Sequence, residues 1–562
     1  MKYLPSQLLY LFQNKAMRKD IGKLCKFLSV IAVTITIYSI MFHYIMEYEG
    51  RYFSWTTGFY WTLTVMSTLG FGDITFASDL GRAFSMIVLL SGIFFLLIML
   101  PFTFIRFFYA PWLESQTQSR TPRELPEDTK NHVIMTEYEP IAMSLIKKLN
   151  QYGLNYTIVV QDAQAATELL DMNVKVVIGE LDNPETYRKL RVEKAALVFV
   201  NNDDMLNSNI IATIRQVSES VPIATFADAY DSILILELAG ATHVFQFTKM
   251  LGATMAQHTL GVSIQSNVIG VLGGVLIAEA YAAHTPYEGK ELIKSELREK
   301  TGVIVVGIWQ RGKFEIPRPQ TIIHPNSILL LAGSVEHFEK YDDFVDSPRS
   351  FAAPVVILGG GRVGQAAAET LEELGIDYRV VEKDKNLIID NNNYILGDAA
   401  DLHILERAGI SAESPSVLIT TRDDDINIYL TIYCRKLRPN IQINSRANMD
   451  RNISKLYSVG ADIVMSYASM GASKILNILR PGEGLMLVEG LNVFKARVPD
   501  SLIEKTLAEK QIRRNTGCNV IAICSNDSFN INPDPNVKFK KNEELILIGT
   551  AEAEKEFKKV FS

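Results

Sequence analysis

Residues 67–73 read Ser67-Thr68-Leu69-Gly70-Phe71-Gly72-Asp73, and they lie between two uncharged apolar runs. Glycines alternating with bulkier residues permit a backbone that presents successive carbonyl oxygens on one side. Phe27 to Met46 is a run of twenty residues without Asp, Glu, Lys or Arg. As a helix, at about 1.5 Å per residue, it spans about 30 Å, the thickness of a bilayer core. Ala83 to Ile105 is a second such run. Tyr52 to Leu69 is also uncharged but richer in Thr, Ser and Gly, which suits a short pore helix and a re-entrant loop. Trp55, Trp61, Tyr48 and Tyr52 are available as interfacial aromatics.

The stretch resembles the signature filter of potassium channels, TVGYG, in the form Thr68-Leu69-Gly70-Phe71-Gly72 followed by Asp73. The resemblance implies K+ as the permeant ion, its water shell replaced by backbone carbonyls and the Thr68 oxygen. One pore loop per chain implies a homotetramer in the lipid bilayer. Leu69 and Phe71 replace Val and Tyr without touching the backbone oxygens. Phe71 lacks a hydroxyl that braces the loop, so a weakly selective cation channel is the alternative reading.

Lys15, Arg18, Lys19 and Lys23 precede the first span, and Arg106, Arg120 and Arg123 follow the second. The positive-inside rule then places both termini in the cytoplasm of an integral membrane protein. Gly92, in mid-span, reads either as a gating hinge or as a site of close helix packing. Leu96, Leu97 and Leu100 form an apolar inner gate or face lipid. Pro101 is positioned to kink the same helix.

The chain has 562 residues, a net charge of −7 and four cysteines without a CxxC pair. Two spans leave most of it outside the membrane. The negative charge and the lack of a basic tract argue against nucleic acid as a partner. The thiols are expected to be free and mostly core. Gln116 to Thr129, with Pro122 and Pro126, reads as a linker.

Beyond it the sequence repeats at an offset of about 220 residues. His132–Met135 matches Val355–Leu358, Asn155–Val160 matches Asp377–Glu382, and Leu197–Val200 matches Val417–Thr420. Short β-rich runs alternate with helical patterns at Ile141–Leu149 and Gly364–Leu374, the rhythm of a doubly wound parallel sheet. Each repeat is followed by a smaller unit with paired strands, Gly302–Trp309 with Ser327–Ala332 and Asn519–Cys524 with Glu544–Ile548. This order resembles the ligand-gated K+ channels that carry regulator-of-K+-conductance (RCK) domains.

The expected fold is thus an α-helical membrane pore (two spans plus a pore helix) followed by two α/β Rossmann-like domains. Each has a small α+β C-terminal subdomain. The expected divisions are an N-terminus over 1–23, a pore domain over 24–110 and a linker over 111–130. The first Rossmann-like domain with its crossover helices covers 131–264, and its subdomain 265–341. A second linker covers 342–353, the second Rossmann-like domain 354–481 and its subdomain 482–562. Phe226–Leu260 and Ser445–Leu479 read as long, largely helical stretches. The resemblance implies that they cross to a neighbouring domain, and that the RCK domains form a gating ring.

The second repeat carries Gly359-Gly360-Gly361-Arg362-Val363-Gly364 directly after a strand, with Glu382 ending the next strand. This is the spacing of a dinucleotide turn: tight bend, close phosphate approach, phosphate on a helix N-terminus, carboxylate on the ribose. NAD or an ADP-type adenine nucleotide is the expected regulatory ligand; an empty structural turn is the bland reading. By position in the RCK resemblance, Asp398 lies near the adenine, Thr420 and Thr421 end the fourth strand, and Arg362 neutralises phosphate. Arg446 is a second phosphate ligand or a salt-bridge member. In the first repeat the turn reads Thr136-Glu137-Tyr138-Glu139-Pro140-Ile141, which has no glycine and repels phosphate, so no dinucleotide is expected there. Its strand ends offer Glu137, Glu139, Asp162, Glu180 and Asp182, either for Ca2+ or as a solvated acidic face. Asp203-Asp204 and Asp423-Asp424-Asp425 read as helix N-terminal charges. A membrane-anchored NAD-dependent enzyme is the reading from another class. It leaves residues 67–73 unexplained and has no nucleophile–base set, so no enzyme is expected.

Overall fold

The structure is a computed structural model that describes residues 15–106, 121–259, 266–272, 274–283, 285–310, 313–325, 327–345, 353–389, 392–410, 414–480, 484–486, 491–525, 528–531 and 533–561. The first fourteen residues, and residues 111–120 and 346–352 of the two expected linkers 111–130 and 342–353, lie outside the described residues. The chain forms two compact units, residues 1–122 with the short stretch 163–168, and residues 123–162 with 169–562.

The first unit contains α1 (Lys15–Tyr48), α2 (Trp55–Met66) and α3 (Asp79–Gly92). Two stretches are long and apolar enough to span a bilayer, Lys26–Tyr48 and Asp79–Thr103. Val33, Ile37, Met86, Ile87 and Leu90 are exposed on them, an apolar surface suited to lipid or to neighbouring helices. Phe42, Met46, Trp61, Met66, Phe76, Phe84 and Val88 form the unit's core. Trp61 is therefore a core residue and not an interfacial one: its ring lies 5.0 Å from Phe42 and 5.1 Å from Phe76. Tyr48, Tyr52 and Trp55 are exposed.

A Cβ on Gly92 would lie 2.3 Å from the Met66 carbonyl oxygen and 2.4 Å from its Cα. The missing side chain lets α3 pack against the end of α2, the second of the two readings of Gly92. Directly after it, Ile93–Met99 is π-helical, and the Leu100 N–H donates to the Phe95 carbonyl five residues back. Pro101 has no N–H and its ring crowds the carbonyl four residues before it, a local cause for this shifted pattern. Of the inner-gate residues, Leu96 packs on the core, Leu97 is exposed and Leu100 is half-buried.

The second unit holds two parallel sheets. One comprises β1 (His132–Met135), β2 (Asn155–Val160), β3 (Val176–Ile178), β4 (Leu197–Val200), β5 (Ile223–Phe226) and β6 (His243–Phe245) in the order β3-β2-β1-β4-β5-β6. Between it and the second parallel sheet come β7 (Asn267–Leu272), β8 (Val275–Tyr281), β9 (Ile304–Gln310), β10 (Lys313–Glu315) and β11 (Ser327–Gly333), an antiparallel subdomain sheet. The other parallel sheet repeats the order as β14-β13-β12-β15-β16-β17, built from β12 (Val355–Leu358), β13 (Tyr378–Glu382), β14 (Tyr394–Leu396), β15 (Ser416–Ile419), β16 (Gln442–Ala447) and β17 (Ile463–Ser466). Its subdomain sheet contains β18 (Gly484–Met486), β19 (Leu491–Arg497), β20 (Asn519–Ser525), β21 (Ser528–Ile531) and β22 (Glu544–Thr550). The two subdomain sheets share one core, with Ile277, Val306 and Leu330 against Val493, Ile521 and Ile546.

The stretch Phe226–Leu260 is less helical than expected. β6 interrupts it, because His243 to Phe245 pair in parallel with Ala224 to Phe226 and extend the sheet. β17 interrupts Ser445–Leu479 in the same way.

Four helices join the halves: α4 (Pro140–Gln151), α5 (Phe247–Gln257), α6 (Arg362–Glu373) and α7 (Tyr467–Leu479). The exchange is reciprocal. α5 of the first half packs on α6 of the second, and a Cβ on Gly252 would lie 2.3 Å from the Val363 carbonyl. α7 of the second half packs on α4 of the first, with Gly471 against Ile141. Asn444 and Gln442 on β16 donate to the His258 carbonyl at 3.0 and 3.2 Å. Cys434 and Cys518 are buried free thiols.

Gly92→Ala is expected to destabilise the pore unit by about 1–3 kcal/mol, since its Cβ meets rigid backbone. A lowered thermal midpoint of the detergent-solubilised chain checks this; an unchanged midpoint would show that α3 does not approach Met66 so closely.

Candidate functional site

In the pore loop, Thr68, Gly70 and Gly72 have φ of 64°, 45° and 76°. Every second residue is left-handed, the backbone condition that the alternating glycines allow. The loop is braced from α2. The Tyr60 hydroxyl donates to the Asp73 carboxylate at 3.1 Å, and the Trp61 indole donates to the Ile74 carbonyl at 3.1 Å. Tyr60 thus supplies a phenolic brace where Phe71 has none. Leu69 and Phe71 are exposed.

In the second half, Gly359 turns the chain out of β12 with φ 109°, and Gly361 caps α6. A Cβ on Gly364 would lie 1.9 Å from the Gly359 carbonyl oxygen, so the turn and the helix demand glycine there. A Cβ on Gly361 would meet nothing within 4 Å: this side of the turn is open to a ligand. Thr420 Oγ1 donates to the Gly359 carbonyl at 2.7 Å, and Thr421 Oγ1 donates to Asn427 Oδ1 at 2.6 Å. Glu382, buried at the end of β13, accepts from the Gly360 N–H at 2.5 Å and the Asp384 N–H at 2.8 Å. Asp398 Oδ1 accepts from the Ala400 N–H at 2.8 Å.

Arg446 is only 6% exposed. Its Nη2 donates to Asn448 Oδ1 at 3.1 Å, its guanidinium lies 5.4 Å from the Tyr467 ring centroid, and its Nε has no partner. Among the described residues no carboxylate forms an ion pair with it. Burial draws the guanidinium below its ordinary pKa. The Asp424 carboxylate acts on it without forming an ion pair, and a buried cation without a direct ion pair favours an incoming anion.

These residues line a cavity of about 930 Å3 whose wall includes both halves. Gly361, Glu382, Asp398 and Arg446 come from the second half; Glu137, Glu139 and Asp228 come from the first. The helix N-terminus, open glycine and buried arginine suit a diphosphate, with Glu382 and Asp398 towards the side where a ribose and base would lie.

Residues 27–109 match the ion channel family, 133–247 and 355–467 match the TrkA-N domain, and 278–346 and 493–562 match the TrkA-C domain. The chain is 25% identical over 244 residues to probable potassium channel protein 2 of Methanocaldococcus jannaschii, covering 40% of this chain and 71% of that protein. It is similar to the solved GsuK channel bound to NAD, at 34% identity and a TM-score of 0.58, over 97% of this chain and 99% of that one. The chain belongs to the RCK potassium channels. It is an integral membrane protein with RCK ligand-binding domains.

In this channel the first half's turn is filled by its own side chains. Glu139 caps α4, accepting from the Ile141 and Ala142 N–H groups, each at 2.8 Å, and from Asn201 Nδ2 at 3.1 Å. Asn201 Oδ1 also accepts from the Thr136 and Glu137 N–H groups. The carboxylate sits where a phosphate would meet the helix N-terminus. Asn201 follows β4 as Thr420 follows β15, a polar position the sequence displayed but whose bonding it did not.

The expected Ca2+ set is not assembled. Among the described residues no three His, Cys, Asp or Glu side chains gather to hold a metal ion. Glu139 is committed to amide hydrogens, Glu137 accepts from Asn202 Nδ2, and Asp162, Glu180 and Asp182 are exposed. The matched acidic runs do cap helices: Asp203 accepts from the Leu206 N–H, and Asp423 from the Asp425 and Ile426 N–H groups. Asp204 and Asp424 additionally hold the loops after β5 and β16 through two backbone N–H groups each.

Burial pushes the Glu139 carboxyl up to about 7, against the opposing effect of its amide donors. Its folded value exceeds its unfolded one, so its stabilisation is present below the ordinary carboxylate range and fades as pH rises through about 7. The thermal midpoint of the channel is expected to fall between pH 5 and pH 8, by the equivalent of up to about 3 kcal/mol. Glu139→Gln is expected to flatten that slope; an equal slope in the variant would remove Glu139 as its source.

Proposed function

We propose that this chain forms a tetrameric, K+-selective channel whose gate is set by an adenine nucleotide, NAD or ADP, bound at the second RCK half. The buried Arg446, with no ion pair to a carboxylate among the described residues, shares a cavity with the open Gly359–Gly364 turn, and this carries the reading. Gly361 and the N-terminus of α6 receive the diphosphate, Arg362 and Arg446 neutralise it, and Val363 seats the helix behind the turn. Glu382 and Asp398 hold the adenosine side. The Glu382 carboxylate keeps lone pairs for ribose hydroxyls while bracing Gly360 and Asp384. NAD bound to the similar GsuK channel supports this choice of ligand.

In the pore, Thr68 to Gly72 line the ion path as four copies around one axis, with Asp73 at its mouth. Both termini lie in the cytoplasm. The nucleotide acts by binding one arrangement of a gating ring more tightly than another. That difference reaches the inner helix through the linker. The helix yields at the π-helical stretch between Gly92 and Pro101, where its hydrogen bonding is already irregular, and Leu97 and Leu100 narrow the cytoplasmic end.

Flux from liposomes containing the purified chain tests this. K+ flux is expected to exceed Na+ flux and to change when NAD or ADP reaches the RCK side. Arg446→Ala is expected to weaken the nucleotide response about 10–100-fold, the loss of one charged hydrogen-bonding group. Gly364→Ala is expected to abolish it. Selective flux indifferent to both nucleotides would refute the regulatory reading and leave the pore.

A further inference from the structure

Arg362, the first residue of α6, does not wait free for a ligand. Its Nη1 lies 2.6 Å from Oδ1 of Asp228, which belongs to the loop after β5 in the first half. Both residues line the shared cavity. Asp228 thus places a carboxylate against the cation at the helix N-terminus where the diphosphate is expected.

The first half offers a parallel. There the corresponding helix N-terminus is filled by Glu139, a carboxylate within its own turn, bound directly to two amides. In the second half the carboxylate comes from the other half of the chain and, among the described residues, is held through the Arg362 side chain. One carboxyl group is built into the backbone turn; the other is removable. Arg446, another cation lining the cavity, forms no ion pair with a carboxylate among the described residues and keeps an unpartnered Nε.

Resting on the nucleotide reading above, we infer that Asp228 is an internal competitor for the nucleotide's phosphate. Binding exchanges the partner of Arg362: the Asp228–Arg362 pair breaks, and a phosphate–Arg362 pair forms. No covalent bond changes. The exchange also couples ligand to architecture, because the broken pair bridges the two halves that share the cavity. Asp228 therefore sets nucleotide affinity from outside the domain that binds the nucleotide.

Both side chains are partly exposed, and such pairs are worth little individually, so the expected effect is modest. Calorimetric titration of the full channel in detergent with NAD gives the test. Asp228→Asn is expected to bind NAD about two- to fivefold more tightly than the wild type. In an Arg362→Gln background, which itself binds NAD less tightly, the same substitution is expected to lose most of that gain. An equal gain in both backgrounds would mean long-range repulsion and overturn the exchange. Unchanged or weaker binding by Asp228→Asn alone would also overturn it. Absence of NAD binding by the wild type would refute the nucleotide reading itself and the inference with it, whereas wild-type binding with an equal or absent gain refutes the inference alone.

Discussion

The second unit depends on the reciprocal exchange of α5 and α7. Each helix leaves the last strand of its own sheet and packs on the first helix of the other. Gly252 and Gly471 permit backbone-close contact at the two crossings, and a Cβ at either would require something to move. This packing brings residues of the two sheets' strand ends to one cavity. Neither half can then rearrange around a ligand without changing what the other half touches.

Within that frame the two halves solve one electrostatic problem differently. A parallel sheet of this order leaves a helix N-terminus at its switch point, with unpaired N–H groups and positive potential. The first half satisfies it internally with Glu139 and Asn201. The second keeps it open with three glycines and surrounds it with Arg362 and Arg446. The two halves share one strand order, and the glycine turn is open in the second.

Much of this was legible in the sequence. β1 and β12 occupy the residues marked by their apolar runs, because short, fully buried parallel strands read as continuous Val and Ile. The glycine turn and its absence from the first repeat were plain, since only glycine permits the 1.9 Å approach at Gly364. Other features depend on distance in space. Asp228 meets Arg362 only because the halves pack together, and nothing local marks it. Carboxylates at strand ends looked like metal ligands, but Glu139 is committed to backbone amides that composition does not reveal. Trp61 looked interfacial, yet its indole reaches Ile74 and its ring fills the core. The π-helical stretch had a partial signal in Pro101, without a way to read its extent.

The most direct test of the central claim is a structure of the full channel in lipid nanodiscs with NAD added. The account predicts dinucleotide density across Gly361 with its diphosphate near Arg362 and Arg446 and its adenosine beside Glu382, in each of four subunits. Density at the Glu137–Glu139 turn, or none at Gly361 under saturating NAD, would contradict it.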